Sequence, residues 1–226
     1  MEQKLTDRAP DCKVPDCKVP GCKVIVLVGP KHSGKTSAGR ALAQLFQGFF
    51  YDVDEEITQA TGKSPRALFE AGKAVFQAAE ADAAASLIQR IQLPDSKPSA
   101  SGGSSALSFH IIAAGGGIID NPPAWAALKK ADALVYLRVS AASAWSRIVQ
   151  SASREGSLPP FLRTDDPEST HRALHEGRGR AYEAGVSHVV DCGAKSPEGI
   201  AREIAMLLSF PVLKTLDPPM ESIILG

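Results

Sequence analysis

The sequence predicts an α/β protein, a five-stranded parallel sheet with helices on both faces. Three observations carry this. Short β-branched apolar runs alternate with helix-patterned segments along the chain. The first of these runs leads into a glycine-bracketed octapeptide and then a helix. The residues with chemistry gather where strands end, the edge at which open parallel sheets bind ligands. With 226 residues, the chain is long enough for one such domain with a substantial core.

The first unit is the most informative. Lys23 to Val28 (KVIVLV) is a β-branched apolar run with the look of a buried parallel strand. Gly29-Pro30-Lys31-His32-Ser33-Gly34-Lys35-Thr36 then fits G-x-x-x-x-G-K-[ST], a phosphate-binding loop. Gly29 and Gly34 let the backbone turn so that successive N–H groups converge on one anion. Lys35 adds a positive charge for the β- and γ-phosphates of ATP, and Thr36 a hydroxyl for Mg²⁺. Ser33 and Ser37 complete the expected nucleotide-binding set. Thr36 to Phe46 follows as a helix, with Ala38, Ala41, Leu42 and Leu45 at helical spacing. Its N-terminus would aim a positive end at the phosphates.

The remaining elements follow in order. Gly48 to Tyr51 reads as a second strand ending at Asp52 and Asp54, and a helix resumes over Glu55 to Ala60. Ser64 is a plausible N-cap with Pro65 at the first helical position. Gly72 separates that short helix from a long Ala-rich one, about Lys73 to Ile91. Residues 93–106 are rich in Ser, Gly and Pro and read as a flexible insertion. Leu107 to Ala114 is a third strand that runs into Gly115-Gly116-Gly117. A helix follows Pro122-Pro123, then a fourth strand over Ala133 to Val139. Ser140 caps a helix to about Ala152. Residues 153–167, polar and broken by proline, form a loop long enough to move. Glu168 to Ala184 is helical, Val186 to Val190 is the fifth strand, and Ser196-Pro197 opens a last helix to Leu208. The expected organisation is therefore an extended leader over 1–22, one domain over 23–209 and a tail over 210–226.

Bulk properties narrow the function. Lys plus Arg and Asp plus Glu both number 25, which gives no support for broad nucleic-acid or membrane binding. No apolar run approaches the ~20 residues of a membrane span. The polar N-terminus lacks the apolar core of a signal peptide, so the expected location is cytoplasmic. Three of the four cysteines, Cys12, Cys17 and Cys22, sit in a tandem pentapeptide. That repeat reads as a metal or redox cluster or as a duplicated leader running into the first strand; its spacing is not C-x-x-C and no histidine is near.

Asp52 and Asp54, two residues apart, both face one cleft if the chain leaves strand geometry there. One carboxylate then serves Mg²⁺ and the other orients or deprotonates an acceptor hydroxyl. The glycine triplet admits close backbone approach to a ligand. His110 reads as a core histidine, and Trp125 and Trp145 as packing residues.

Together these stretches resemble the shikimate kinase family, small P-loop kinases of the nucleoside-monophosphate-kinase type. The matching stretches run from about Lys23 to Leu208. They include the phosphate loop, Asp52-Val53-Asp54-Glu55-Glu56-Ile57, Phe69-Glu70-Ala71-Gly72 with Phe76 and Glu80, the glycine triplet, and Arg178-x-x-x-Tyr182. The resemblance implies a P-loop kinase fold with a nucleotide-sensing lid and transfer of the ATP γ-phosphoryl group to shikimate. It implies that Asp52 sits near Mg²⁺, that Asp54 contacts the acceptor hydroxyls, that Gly115, Gly116 and Gly117 line the acceptor pocket, and that Arg178 pairs with the acceptor carboxylate. A monomer is expected. Three positions depart from the family pattern. Gln77 and Pro159 stand where the family usually has arginines, and His32 where glycine is common. An amide cannot supply a guanidinium fork. Lys73, one helical turn before Gln77, and Arg154 or Arg163 in the lid are the candidate replacements. A sugar acid or other small acceptor, or a non-catalytic ligand-binding role, are the alternatives these departures leave.

Overall fold

A computed structural model of the chain describes residues 22–92 and 108–209. The leader up to residue 21, the insertion at 93–106 and the tail at 210–226 lie outside the described residues. Five strands, β1 (Cys22–Val28), β2 (Phe49–Asp52), β3 (Ser108–Ala113), β4 (Ala133–Arg138) and β5 (His188–Asp191), form one sheet in the order β2-β3-β1-β4-β5. All four pairings are parallel; Ile25 of β1 lies opposite Ile111 of β3 on one side and Ala133 of β4 on the other. Eight α-helices accompany them among the described residues: α1 (Lys35–Leu45), α2 (Val53–Thr61), α3 (Pro65–Ala71), α4 (Lys73–Gln92), α5 (Pro122–Leu128), α6 (Ala141–Glu155), α7 (Pro167–Gly185) and α8 (Pro197–Leu207).

The two-residue period of β1 divides the core. Val24, Val26 and Val28 face one side and pack with Ile57, Leu87, Ile88 and Leu128 from α2, α4 and α5. Ile25 and Leu27 face the other side and pack with Leu42 of α1 and Ile200 and Ile204 of α8. Successive strand side chains point to opposite faces, so a strand apolar on both is covered on both. The strand apolar throughout is accordingly the central one.

The serines expected to open helices do so. Ser64, Ser140 and Ser196 accept hydrogen bonds from the backbone N–H groups of Ala67, Ser143 and Gly199 at 3.2, 3.1 and 3.1 Å. Each such cap contributes about 1 kcal/mol. Several boundaries differ from expectation. Helix α2 begins at Val53 rather than Glu55, because Asp52 itself caps it by accepting from Asp54 N at 3.0 Å. Strand β5 begins at His188 rather than Val186, whose N–H closes α7 on the Tyr182 carbonyl at 3.1 Å. The lid segment is shorter at both ends. Helix α6 continues to Glu155, where Gly156 ends it in the left-handed region, and Asp166 caps α7 from its side chain. Residues 156–166 remain between them, with a single 3₁₀ turn over Pro160–Leu162. No helix among the described residues is long and apolar enough to cross a membrane.

Candidate active site

The C-terminal ends of β1, β2 and β3 open into one cleft of about 1430 Å³. That is larger than the ~300–1,000 Å³ typical of a single small-ligand pocket, and leaves room for two ligands. Its floor is the phosphate loop and the glycine triplet. Its walls come from α3, α4, α6, α7 and the lid segment.

The phosphate loop is held by its own lysine. Lys35 Nζ donates to the carbonyls of Gly29 and Pro30 at 3.0 and 2.8 Å, and lies 3.4 Å from the buried Ser33 hydroxyl. Burial lowers the Lys35 ammonium to about 8, against the opposing pull of Asp54 and Asp52, so it stays mostly charged at neutral pH. Gly29 has φ +146, and a Cβ there would lie 2.7 Å from the Leu137 carbonyl oxygen of β4. His32 takes φ +62, the conformation glycine adopts freely, at a cost of about 1–2 kcal/mol. Arg147 of α6 donates to the His32 carbonyl at 2.8 Å and fixes the loop from outside. Thr36 and Ser37 lie open to the cleft in the first turn of α1.

Asp52 and Asp54 both line the cleft, and helix geometry makes this possible. Asp52 is the last strand residue and Asp54 lies in the first turn of α2. Asp52 accepts from the Thr36 hydroxyl at 2.9 Å, which brings two hard oxygen donors together beside the loop. Such a hydroxyl–carboxylate pair suits Mg²⁺, which takes one or two carboxylates and completes its shell with phosphates and water. Asp54 opens to the cleft yet lies deep among protein atoms. That desolvation, then the charge of Asp52, raises its carboxyl above the usual range, while Lys35 and Lys31 oppose. Asp52 is thus both helix cap and cleft carboxylate.

The glycine triplet sits where no side chain would fit. A Cβ on Gly116 would lie 2.8 Å from the Lys31 backbone nitrogen, so the triplet and the phosphate loop touch backbone to backbone. Beside Gly115 lies Glu80, which is 1% exposed. Asn121 donates to it at 2.9 Å and also to the Gln77 carbonyl at 2.7 Å. Burial pushes Glu80 up to about 7, and the charge of Asp54 adds to the effect against the Asn121 hydrogen bond. An acid raised by folding favours the native state while protonated and loses that favour as pH rises. The stability is full below the ordinary value of 4.5 and is lost toward about 7. Glu80→Gln is therefore expected to remove roughly 2–3 kcal/mol of pH dependence from the unfolding free energy. Urea denaturation of both proteins at pH 5 and pH 8 checks this: the variant should gain on the parent only at the higher pH.

Of the cations singled out in the sequence, Arg178, Lys73 and Arg154 line the cleft and Arg163 does not. Arg178 lies against Gly117 and donates to Asp120, with Nε at 2.8 Å and Nη2 at 2.6 Å from the same oxygen. The Phe161 ring of the lid segment lies 5.8 Å from its guanidinium carbon. Gln77 turns its amide to the Asp120 carbonyl at 3.0 Å. Lys73 is exposed at the cleft rim, and Arg154 also lines the cleft. Arg163 is engaged elsewhere: Glu70 of α3 holds it at 3.2 Å. Arg66 of α3 adds a bond to the lid through the Ser157 hydroxyl. Pro159 and Pro160 line the cleft without charge.

Of the residues singled out in the sequence, Gly34, Lys35, Thr36, Asp52, Asp54, the glycine triplet and Arg178 line this one cleft. Sequence reasoning missed the part played by Arg147, Asp120 and Asn121, which contact the site across 40 or more residues. His110 is buried and shares a 3.1 Å contact with the Tyr51 hydroxyl.

The sequence profile described as shikimate kinase matches residues 31–95 and 100–209. A shikimate kinase of Burkholderia pseudomallei is 31% identical over 185 residues, covering 81% of this chain and 89% of that protein. One of a Synechococcus species is 31% identical over 186 residues, covering 81% of each. Among solved structures, a shikimate kinase from Acinetobacter baumannii in complex with shikimate superposes with a TM-score of 0.68 at 27% identity, over 84% of this chain and 95% of that one. A glycine loop, a carboxylate pair and a glycine triplet around one cleft, with relatives matched over four-fifths of the chain, lead to one conclusion: the chain belongs to the shikimate kinase family.

Proposed function

We propose that the protein transfers the γ-phosphoryl group of ATP to a hydroxyl of shikimate, working as a monomer. The observation that carries this reading is that the phosphate loop and the acceptor-side residues Asp54 and Arg178 open into one cleft. The match of 81% of the chain to shikimate kinases supports the choice of acceptor.

In this reading the backbone N–H groups of the loop after Pro30, up to Thr36, and the α1 N-terminus hold the phosphates. Lys35, already desolvated, exchanges loop carbonyls for phosphate oxygens. Thr36 and Asp52 would hold Mg²⁺, which supplies charge neutralisation across the β- and γ-phosphates. Asp54 accepts the proton of the attacking hydroxyl, and its raised pKa brings its basicity closer to that task. Arg147 steadies the loop at His32. Arg178 faces the acceptor carboxylate, with Lys73 at the rim. The lid residues Pro159 to Phe161 cover the cleft and exclude water, which limits hydrolysis. The chemistry is mainly positioning and charge stabilisation of an in-line transfer.

A coupled assay of ADP release from the full chain tests this. Turnover is expected with shikimate, ATP and Mg²⁺ together. ATP binding without turnover on shikimate would overturn the reading. One observation favours a second acceptor: Gln77 is tied to a backbone carbonyl rather than offered to a carboxylate. Turnover on a sugar acid but not on shikimate would establish that alternative.

A further inference from the structure

We propose that Asp120 sets acceptor specificity by acting through Arg178: it is an internal counter-ion that an acceptor carboxylate has to compete with. The inference rests on the reading of Arg178 as the cation that faces the acceptor. Both residues line the cleft, and two guanidinium nitrogens of Arg178 converge on one Asp120 oxygen at 2.6 and 2.8 Å. The pair is asymmetric in burial. The Arg178 side chain is 20% exposed and that of Asp120 38%, so the carboxylate is the partner more open to solvent and to ligands.

Arg178 also has contacts besides Asp120. Gly117 backs its guanidinium so closely that a Cβ would lie 3.1 Å from Nη2, and the Phe161 ring centroid lies 5.8 Å from its guanidinium carbon. Asp120 is held through its backbone, by the Gln77 amide on its carbonyl and by its place in the 3₁₀ turn over Ile118–Asp120. Replacing its carboxylate therefore keeps the backbone bonds of the turn, and Arg178 is expected to keep its contacts with Gly117 and Phe161. The charges around the acceptor side make the consequence specific. Asp54, Glu80 and Asp120 line the cleft together with Arg178, Lys73, Arg66 and Arg154. A carboxylate arriving at Arg178 meets Asp120 on the same guanidinium, and like charges at that range repel. An uncharged acceptor meets no such competition. Specificity here comes from a repulsive element as well as an attractive one.

The test is titration calorimetry with shikimate and with its uncharged methyl ester, on the full chain and on Asp120→Asn and Asp120→Glu, alongside steady-state kinetics. Asp120→Asn is expected to tighten shikimate binding about tenfold, the equivalent of one charge-assisted contact reduced by solvent exposure. Its KM for shikimate should fall in step while kcat holds, its methyl ester affinity should not move, and Asp120→Glu should behave as the parent. Unchanged or weaker shikimate binding in Asp120→Asn, or an equal gain for the ester, would overturn the inference. If the parent phosphorylates shikimate and Asp120→Asn shows no gain, this inference alone falls. If no protein of the set binds shikimate, the acceptor reading falls with it.

Discussion

Asp54→Asn is expected to lower kcat on shikimate by about 10²- to 10⁴-fold, the usual contribution of a positioned general base. The substitution is nearly isosteric and preserves the backbone bond from Asp54 N to Asp52 that starts α2, so the fold should stay intact. The asparagine amide can still accept from an acceptor hydroxyl through its oxygen, so KM should change far less than kcat. The pH profile gives the sign. A base works when deprotonated, and burial together with Asp52 raises the Asp54 pKa above the usual carboxylate range. Activity in the parent should therefore rise with pH through that raised value. The acidic limb should vanish in the residual activity of Asp54→Asn. A variant that keeps parental kcat, or keeps the limb, would remove Asp54 from the base role.

Lys35→Met is expected to reduce kcat/KM by about 10³-fold, comparable to deleting a strong preorganised donor aimed at developing charge. The lysine serves two purposes. Its ammonium donates to Gly29 and Pro30 carbonyls and so pins the loop's shape, and it carries the charge meant for the phosphates. Methionine fills much of the same volume with no charge. Nucleotide titration and steady-state kinetics separate the two purposes. Loss of charge alone weakens both ATP affinity and turnover. If binding and turnover both survive, the loop is held by its glycines and by Arg147 alone, and Lys35 has no catalytic part.

The nucleotide half was legible in the sequence because its determinants are local. Eight consecutive residues between a strand and a helix dictate the phosphate loop, and Asp52 and Asp54 follow the next strand directly. The acceptor half was legible only in outline. The glycine triplet and Arg178 stood out, but the fate of Arg178 depends on Asp120, 58 residues earlier, and the loop's outer support on Arg147, 115 residues after His32. No period or spacing encodes such pairs; the crossover order β2-β3-β1-β4-β5 does. Arg163 shows the reverse case. Read as a spare charge near the cleft, it is spent on Glu70 at the lid's edge. The helix caps, by contrast, depend on residues three apart and were read correctly at Ser64, Ser140 and Ser196.

The backbone contact between Gly116 and Lys31 has a consequence for any molecule built to occupy the whole cleft. With no side chain on Gly116, no rotamer change of that residue can widen or narrow the junction. In the proposed reading, the spacing between nucleotide and acceptor at that junction is therefore set by backbone rather than by a rotamer of Gly116. A bisubstrate compound, with a phosphate mimic tethered to a cyclic polyol, meets a ruler rather than a hinge. Its tether has one productive length, and shortening or stretching it forfeits the second half's effective concentration instead of remoulding the protein.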